Sequence, residues 1–203
     1  MKTILLTTLI TFILAGCSSL HPSLHEYTIL PSYMPRAATM LPVKATLKVS
    51  STRSIPSLSS TQIYYLKDTS RLDAYLYSTW TDSPSSMIDR SLYSSLQNRQ
   101  LFTTLIPTTS SAMADLILES DLNAFYHRFL DDSKSEGVID ITYRLIDLKT
   151  KTALGSKRFF ITEPALSANA QGGVNALTKA TQRLSENTTD WLETVGKENQ
   201  WIK

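Results

Sequence analysis

The sequence predicts an α+β or α/β two-layer sandwich: a mixed, largely antiparallel sheet with helices packed mainly on one face. Three observations predict it. Apolar and polar residues alternate with a period of two over Leu41–Ser50, Leu72–Trp80, Asp115–Phe129 and Val138–Glu163. Two stretches, after Ser83-Pro84 and after Asn169, change to helical spacing. The order of elements is strands, helix, strands, long hairpin, helix, and the hairpins preclude an all-parallel sheet. A hydrophobic content of 42% against 19% charged residues fits a globular chain.

Taken in order, Tyr27-Thr28-Ile29-Leu30-Pro31 is a short β-prone run closed by proline. In Leu41–Ser50, Val43, Ala45, Leu47 and Val49 alternate with Lys44, Thr46 and Lys48, the pattern of a half-buried strand. The Ser/Thr-rich stretch 50–61, broken by Pro56, is expected to be a loop without chemistry. Gln62–Leu66 and Leu72–Trp80 form a hairpin through Lys67-Asp68-Thr69-Ser70. In its second strand Leu72, Ala74, Leu76 and Trp80 share one face, and Tyr75 and Tyr77 point the other way. Ser83-Pro84 starts a helix, a capping hydroxyl ahead of proline at the first helical position. Met87, Ile88, Leu92, Tyr93 and Leu96 form its apolar stripe, and it ends near Gln97–Gln100. Phe102–Ile106 is a strand stopped by Pro107. Asp115–Phe129 places Leu116, Leu118, Leu122, Ala124 and Tyr126 on one side. The hairpin Val138–Leu148/Ala153–Glu163 turns through Lys149–Thr152, with Ile139, Ile141, Tyr143 and Leu145 on one face and Asp140, Thr142 and Arg144 on the other. The last helix, Asn169–Val195, carries the stripe Val174, Leu177, Thr181, Leu184, Thr188, Trp191, Val195.

The N-terminal stretch has a different logic. Lys2 precedes an apolar run, Ile4–Leu14, that is shorter than the ~20 residues a bilayer span needs, and small residues follow it. This is the pattern of a secretory signal. The chain's single cysteine, Cys17, comes directly after Leu14-Ala15-Gly16. The four residues resemble the bacterial lipoprotein lipobox. The resemblance implies cleavage between Gly16 and Cys17, diacylglycerol on the Cys17 sulfur and acylation of the new amino terminus. Two or three acyl chains anchor firmly where one anchors marginally. Ser18, where aspartate retains lipoproteins in the inner membrane, implies the periplasmic face of the outer membrane. The organisation expected is residues 1–16 signal, 17–26 lipidated N-terminus and tether, 27–195 one periplasmic domain and 196–203 a C-terminal tail. The tether reaches at most about 30 Å.

Several segments in order resemble one family: Tyr27–Pro31, the strand Tyr75–Trp80 entering a helix at Asp82-Ser83-Pro84, Ala114–Glu119 leading to Phe125, and the closing helix with Leu177, Leu184 and Trp191-Leu192. Behind a lipobox they resemble the auxiliary lipoproteins of bacterial ABC-type transport systems, encoded beside mammalian-cell-entry (MCE) domain proteins. The resemblance implies a non-catalytic component of a lipid transport system between the two membranes, with an MCE-domain protein as partner. An outer-membrane assembly or envelope-structural lipoprotein shares anchor and fold class and is the alternative. A homo-oligomer is compatible with either, and one chain reveals no symmetry.

No constellation for catalysis is visible. The three histidines are His21 and His25 in the tether and His127 on a strand edge, and no free cysteine remains to complete a metal site. There is no nucleophile elbow and no glycine loop for phosphate; Gly172-Gly173 is the one adjacent glycine pair. Asp131-Asp132 with Glu136 reads as a solvated turn. A formal net charge of +2 supplies no basic surface for nucleic acid. No cofactor is expected beyond the lipid on Cys17. The remaining candidates are aromatic. Trp80 is read as core. Tyr64, Tyr75 and Tyr77 form either a partner-binding patch or cross-strand packing.

Overall fold

The computed structural model describes residues 23–31, 42–68 and 70–199. Among them are nine strands: β1 (His25–Tyr27), β2 (Val43–Val49), β3 (Arg53–Ser54), β4 (Gln62–Leu66), β5 (Leu72–Trp80), β6 (Phe102–Pro107), β7 (Leu116–Phe129), β8 (Ser135–Asp147) and β9 (Thr152–Pro164). Two helices, α1 (Pro84–Arg99) and α2 (Ala170–Glu198), and a 3-10 turn at Pro56–Ser59 complete them.

The sheet is assembled on β7. One edge of β7 pairs antiparallel with β8 along its whole length, and β8 continues antiparallel into β9. The other edge is shared end to end by three short strands, all parallel to β7: β2 at Leu116–Leu118, β3 at Asp121–Leu122 and β4 at His127–Arg128. Beyond them, β2 carries β6 in parallel, β4 carries β5 antiparallel, and β5 carries β1 in parallel. The sheet therefore forks on that side. Its two longest pairs, β7–β8 and β8–β9, are antiparallel, in agreement with the mixed, largely antiparallel sheet expected.

Both helices lie on one side. The Ser83 hydroxyl accepts from the Ser86 amide at 3.3 Å to start α1, and Gln100 ends it in the left-handed region at φ 51°. Met87, Ile88, Leu92 and Leu96 of α1 are all buried. The whole stripe of α2 is buried, its two threonines included. Thr181 is tolerated there because its hydroxyl donates to the Leu177 carbonyl at 2.8 Å, so one polar atom is satisfied within the helix. The helices meet through small polar side chains: Ser185 donates to Ser91 at 3.0 Å, and Ser95 and Thr189 lie 3.2 Å apart. Arg99 closes the interface on Asp190 and Glu193.

A close contact between layers is made where α2 crosses β7 and β8. A Cβ on Gly137 of β8 would sit 2.7 Å from the Leu177 backbone nitrogen, and one on Gly173 of α2 would sit 2.6 Å from the His127 ring. His127 and Gly137 are cross-strand partners. The two glycines thus let helix backbone approach strand backbone on one side and an imidazole on the other.

Several sequence expectations are corrected. β7 has a register shift between Leu122 and Ala124, so one extra residue sits in the strand. A one-residue slip exchanges the faces. Phe125 and His127 therefore face the core, while Ala124 and Tyr126, expected beside Leu122, turn outward. β5 is irregular between Ala74 and Thr79. Leu76, expected in the core, is 83% exposed, and Trp80 returns to the core at 2%. The loop 50–61 contains β3 and the 3-10 turn, with Leu58 buried. His25 and Glu26, assigned to the tether, pair with Ser78 and Thr79 in β1. α2 continues three residues past Val195, into the stretch assigned to the tail.

The tight seat of α2 has a direct test. Gly137→Ala and Gly173→Ala should each destabilise the fold by about 1–3 kcal/mol through overpacking, Gly137→Ala the more because it meets backbone. Urea unfolding of the lipid-free Cys17→Ala protein measures this, and an unchanged midpoint for Gly137→Ala would contradict the close approach.

Candidate functional site

The lipidation site expected at Gly16 and Cys17 lies outside the described residues. The other candidates can be placed. Tyr64 pairs with Ala74, whereas Tyr65 pairs with Asp73, so Tyr64 and Tyr65 occupy opposite faces of β4. Tyr75 lies on the Tyr65 side, with ring centroids 4.7 Å apart. Tyr64 donates instead to Gln62 at 2.6 Å on the outer face, and Tyr77 is 52% exposed. The structure does not bring the three tyrosines onto one surface. Trp80 packs edge-on against Phe125 at 5.8 Å, within the core.

Tyr75 leads inward to His127. The histidine, expected at a strand edge, is fully buried on the central strand β7 beneath the first turn of α2. The β7 register shift places it there. Its Nδ1 and the Tyr75 hydroxyl are 2.8 Å apart, and Tyr65 and Phe129 flank the pair. Its Nε2 has no hydrogen-bond partner among the described residues, nor has the buried Ser135 hydroxyl, whose strand partner is Phe129. Burial drives the imidazole pKa down to about 4 and pushes the Tyr75 phenol up, with Tyr65 adding to the latter. A neutral imidazole locked under a helix is a packing element with one polar tie.

A second feature is a groove of about 370 Å³ beside α1, walled by Val49, Tyr93, Gln97 and Pro107. Asp89 of α1 is its one carboxylate. The Thr52 amide donates to Asp89 Oδ2 at 3.0 Å, and the Thr52 hydroxyl bridges Asp89 and Ser120. Burial raises the Asp89 pKa, opposed by the bonds from Thr52. Thr52 comes from the stretch read as a loop without chemistry. No local signal reveals it, because its partners stand 37 and 68 positions away along the chain.

The outer face of the sheet is a ladder of ion pairs. Asp121 receives both Arg53 and Arg144, which hold its carboxyl down to about 2. Arg158 donates to Asp140 at 2.8 Å, and Arg128 to Glu136 at 2.8 Å. Asp140 and Arg144 thus face away from Ile139, Ile141, Tyr143 and Leu145 as expected. Asp131 accepts from the Ser133 and Lys134 amides and serves its own turn. Among the described residues, no group of three or more His, Cys, Asp or Glu is placed to hold a metal. Among them, no helix is long and apolar enough to cross a membrane.

The buried imidazole predicts a pH dependence of stability. Below its ordinary pKa the unfolded chain binds a proton that the folded chain refuses, so stability falls as pH falls from about 6.5 towards 4. Between pH 7 and pH 5 this histidine should cost about 2 kcal/mol, a loss that His127→Gln removes. Urea midpoints at the two pH values, for the parent and the variant, give the answer; equal slopes would show that His127 is protonated in the fold.

Comparison with known proteins places this architecture. No curated protein matches the sequence. The fold is similar to the crystal structure of protein XCC0632 from Xanthomonas campestris, of the DUF330 family, with TM-score 0.78 at 15% identity over 86% of this chain and 98% of that one. A second crystal structure, of an uncharacterized protein, matches with TM-score 0.66 at 12% identity over 84% of this chain and 99% of that one. At these identities the likeness is one of fold. The sequence itself matches the family described as the ABC-type transport auxiliary lipoprotein component over residues 27–188, from the last residue of β1 to the buried Thr188 of α2. This chain therefore belongs to the ABC-type transport auxiliary lipoprotein component family.

Proposed function

We propose that this protein is the lipid-anchored, non-catalytic auxiliary component of an ABC/MCE-type transport system that moves phospholipid between the inner and outer membranes. The observation that carries the reading is the family match over residues 27–188, standing directly behind Leu14-Ala15-Gly16-Cys17. The anchor is diacylglycerol on Cys17, and Ser18 directs the protein to the periplasmic face of the outer membrane. The partner is an MCE-domain protein, the component that reaches across the periplasm towards it.

The side chains support a binding role over chemistry. The buried histidine and its tyrosine are spent on packing, and Asp89 is tied to Thr52. The groove beside α1 sets apolar Val49, Tyr93 and Pro107 among polar side chains that include Asp89 and Arg90, a surface suited to holding a partner segment.

Affinity capture of the tagged lipoprotein from detergent-solubilised membranes tests the reading. Recovery of an MCE-domain protein with its permease and ATPase is the expected result. Recovery of barrel-assembly or cell-wall components in their place would remove the transport reading in favour of an envelope-structural one.

A further inference from the structure

Five strands meet in register at one end of the sheet, in the row Leu72–Leu66–Arg128–Glu136–Pro164 across β5, β4, β7, β8 and β9. Each connection at that end exposes a leucine. Leu72 opens β5 at 39% exposure, Leu130 follows β7 at 59%, and Leu166 follows β9 at 86%. Leu76 and Tyr77 continue the apolar surface along β5, where its register with β4 is broken.

The start of β1 is turned towards the same end. β5 starts in that row at Leu72 and runs away from it, and β1 runs parallel to β5 with His25 beside Ser78. Among the described residues Leu24, which directly precedes His25 on the side of the row, is 59% exposed. Leu24 stands seven positions after Cys17, a span of at most about 25 Å. Two of the three acidic side chains in the two turns at this end are held by their own backbone, and the third, Asp132, is exposed. Asp68 accepts from the Ser70 and Arg71 amides, and Asp131 from the Ser133 and Lys134 amides, so both are turned back onto their own backbone. Lys67 and Lys134 stand exposed between them, with stems that can lie along apolar surface while the ammonium stays among headgroups.

We infer that this end of the domain, carrying Leu24, Leu72, Leu76, Leu130 and Leu166, rests on the phospholipid surface in which the anchor is embedded. The domain is held in one orientation and does not swing freely on its tether. The occupant is lipid because Leu24 lies only seven positions along the chain from Cys17, a tether too short to let this end stray far from the leaflet. The inference rests on the Cys17 anchor proposed above. It fixes which surface remains for a protein partner: the far end, around Met113 and Leu148, and the groove beside α1.

The chain's one cysteine is consumed by lipid, so an introduced cysteine is the only free thiol. Lipidated protein carrying Leu130→Cys, Leu166→Cys or, at the opposite end, Met113→Cys is labelled with an environment-sensitive fluorophore. It is then reconstituted in vesicles of phosphatidylethanolamine and phosphatidylglycerol. Doxyl-labelled lipid should quench the probes at 130 and 166 at least twofold more than the probe at 113. Equal quenching at all three positions, or stronger quenching at 113, overturns the orientation and assigns the leucines to a protein partner. Flotation is measured on the same samples. Protein that fails to float with the vesicles removes the anchor and the orientation together; protein that floats with unquenched probes removes the orientation alone.

Discussion

The structure depends on how closely α2 can approach the β7–β8 pair. Gly137 on the strand and Gly173 on the helix leave no room for a Cβ, and His127 fills the space between them. With those three residues in place the stripe from Val174 to Val195 reaches the inner face of β8 and β9, and α1 can dock on α2 through serines and threonines. The sheet needs this clamp because one side of β7 is held by three separate short strands, each contributing two or three pairs. Short parallel pairs are weak by themselves. Burial beneath the helices, together with the forked arms β2–β6 and β4–β5–β1, keeps them in register.

Most of this was legible from periodicity. Ser83-Pro84 marked the start of α1, Pro107 the end of β6, and the seven-residue stripe of α2 is buried in full. The hairpin face Ile139, Ile141, Tyr143 and Leu145 was equally plain, since β8 keeps its alternation through all four. The misassigned strand faces share one cause. Alternation assigns faces only while the strand is regular, and the shifts at Leu122/Ala124 and Ala74/Thr79 each invert it. Asn123 is the extra residue in β7, but an asparagine in a strand is too common a sight to announce a bulge.

The site residues followed the same division. His127 and Tyr75 are adjacent because β4 lies alongside the last residues of β7 and β5 alongside β4, a pairing that period-two patterns leave open. Thr52 was hidden in a Ser/Thr-rich stretch whose composition describes a loop, and only the tertiary fold turns it towards Asp89 and Ser120. Conversely, the tyrosine patch was a property of the one-dimensional string. Once strand faces and the β5 irregularity are drawn, Tyr64 faces outward, Tyr75 inward and Tyr77 into solvent. Function rests less on any such cluster than on the order of elements, which the family match spans from β1 into α2.

Everything proposed about location, partner and orientation passes through Cys17. Intact-mass measurement of the protein purified from the envelope of the cells that make it reads that residue directly. The account predicts a mature chain beginning at Cys17 and heavier than its sequence by a diacylglyceryl group and one further acyl chain. A chain that begins elsewhere, or begins at Cys17 with an unmodified thiol, would contradict it.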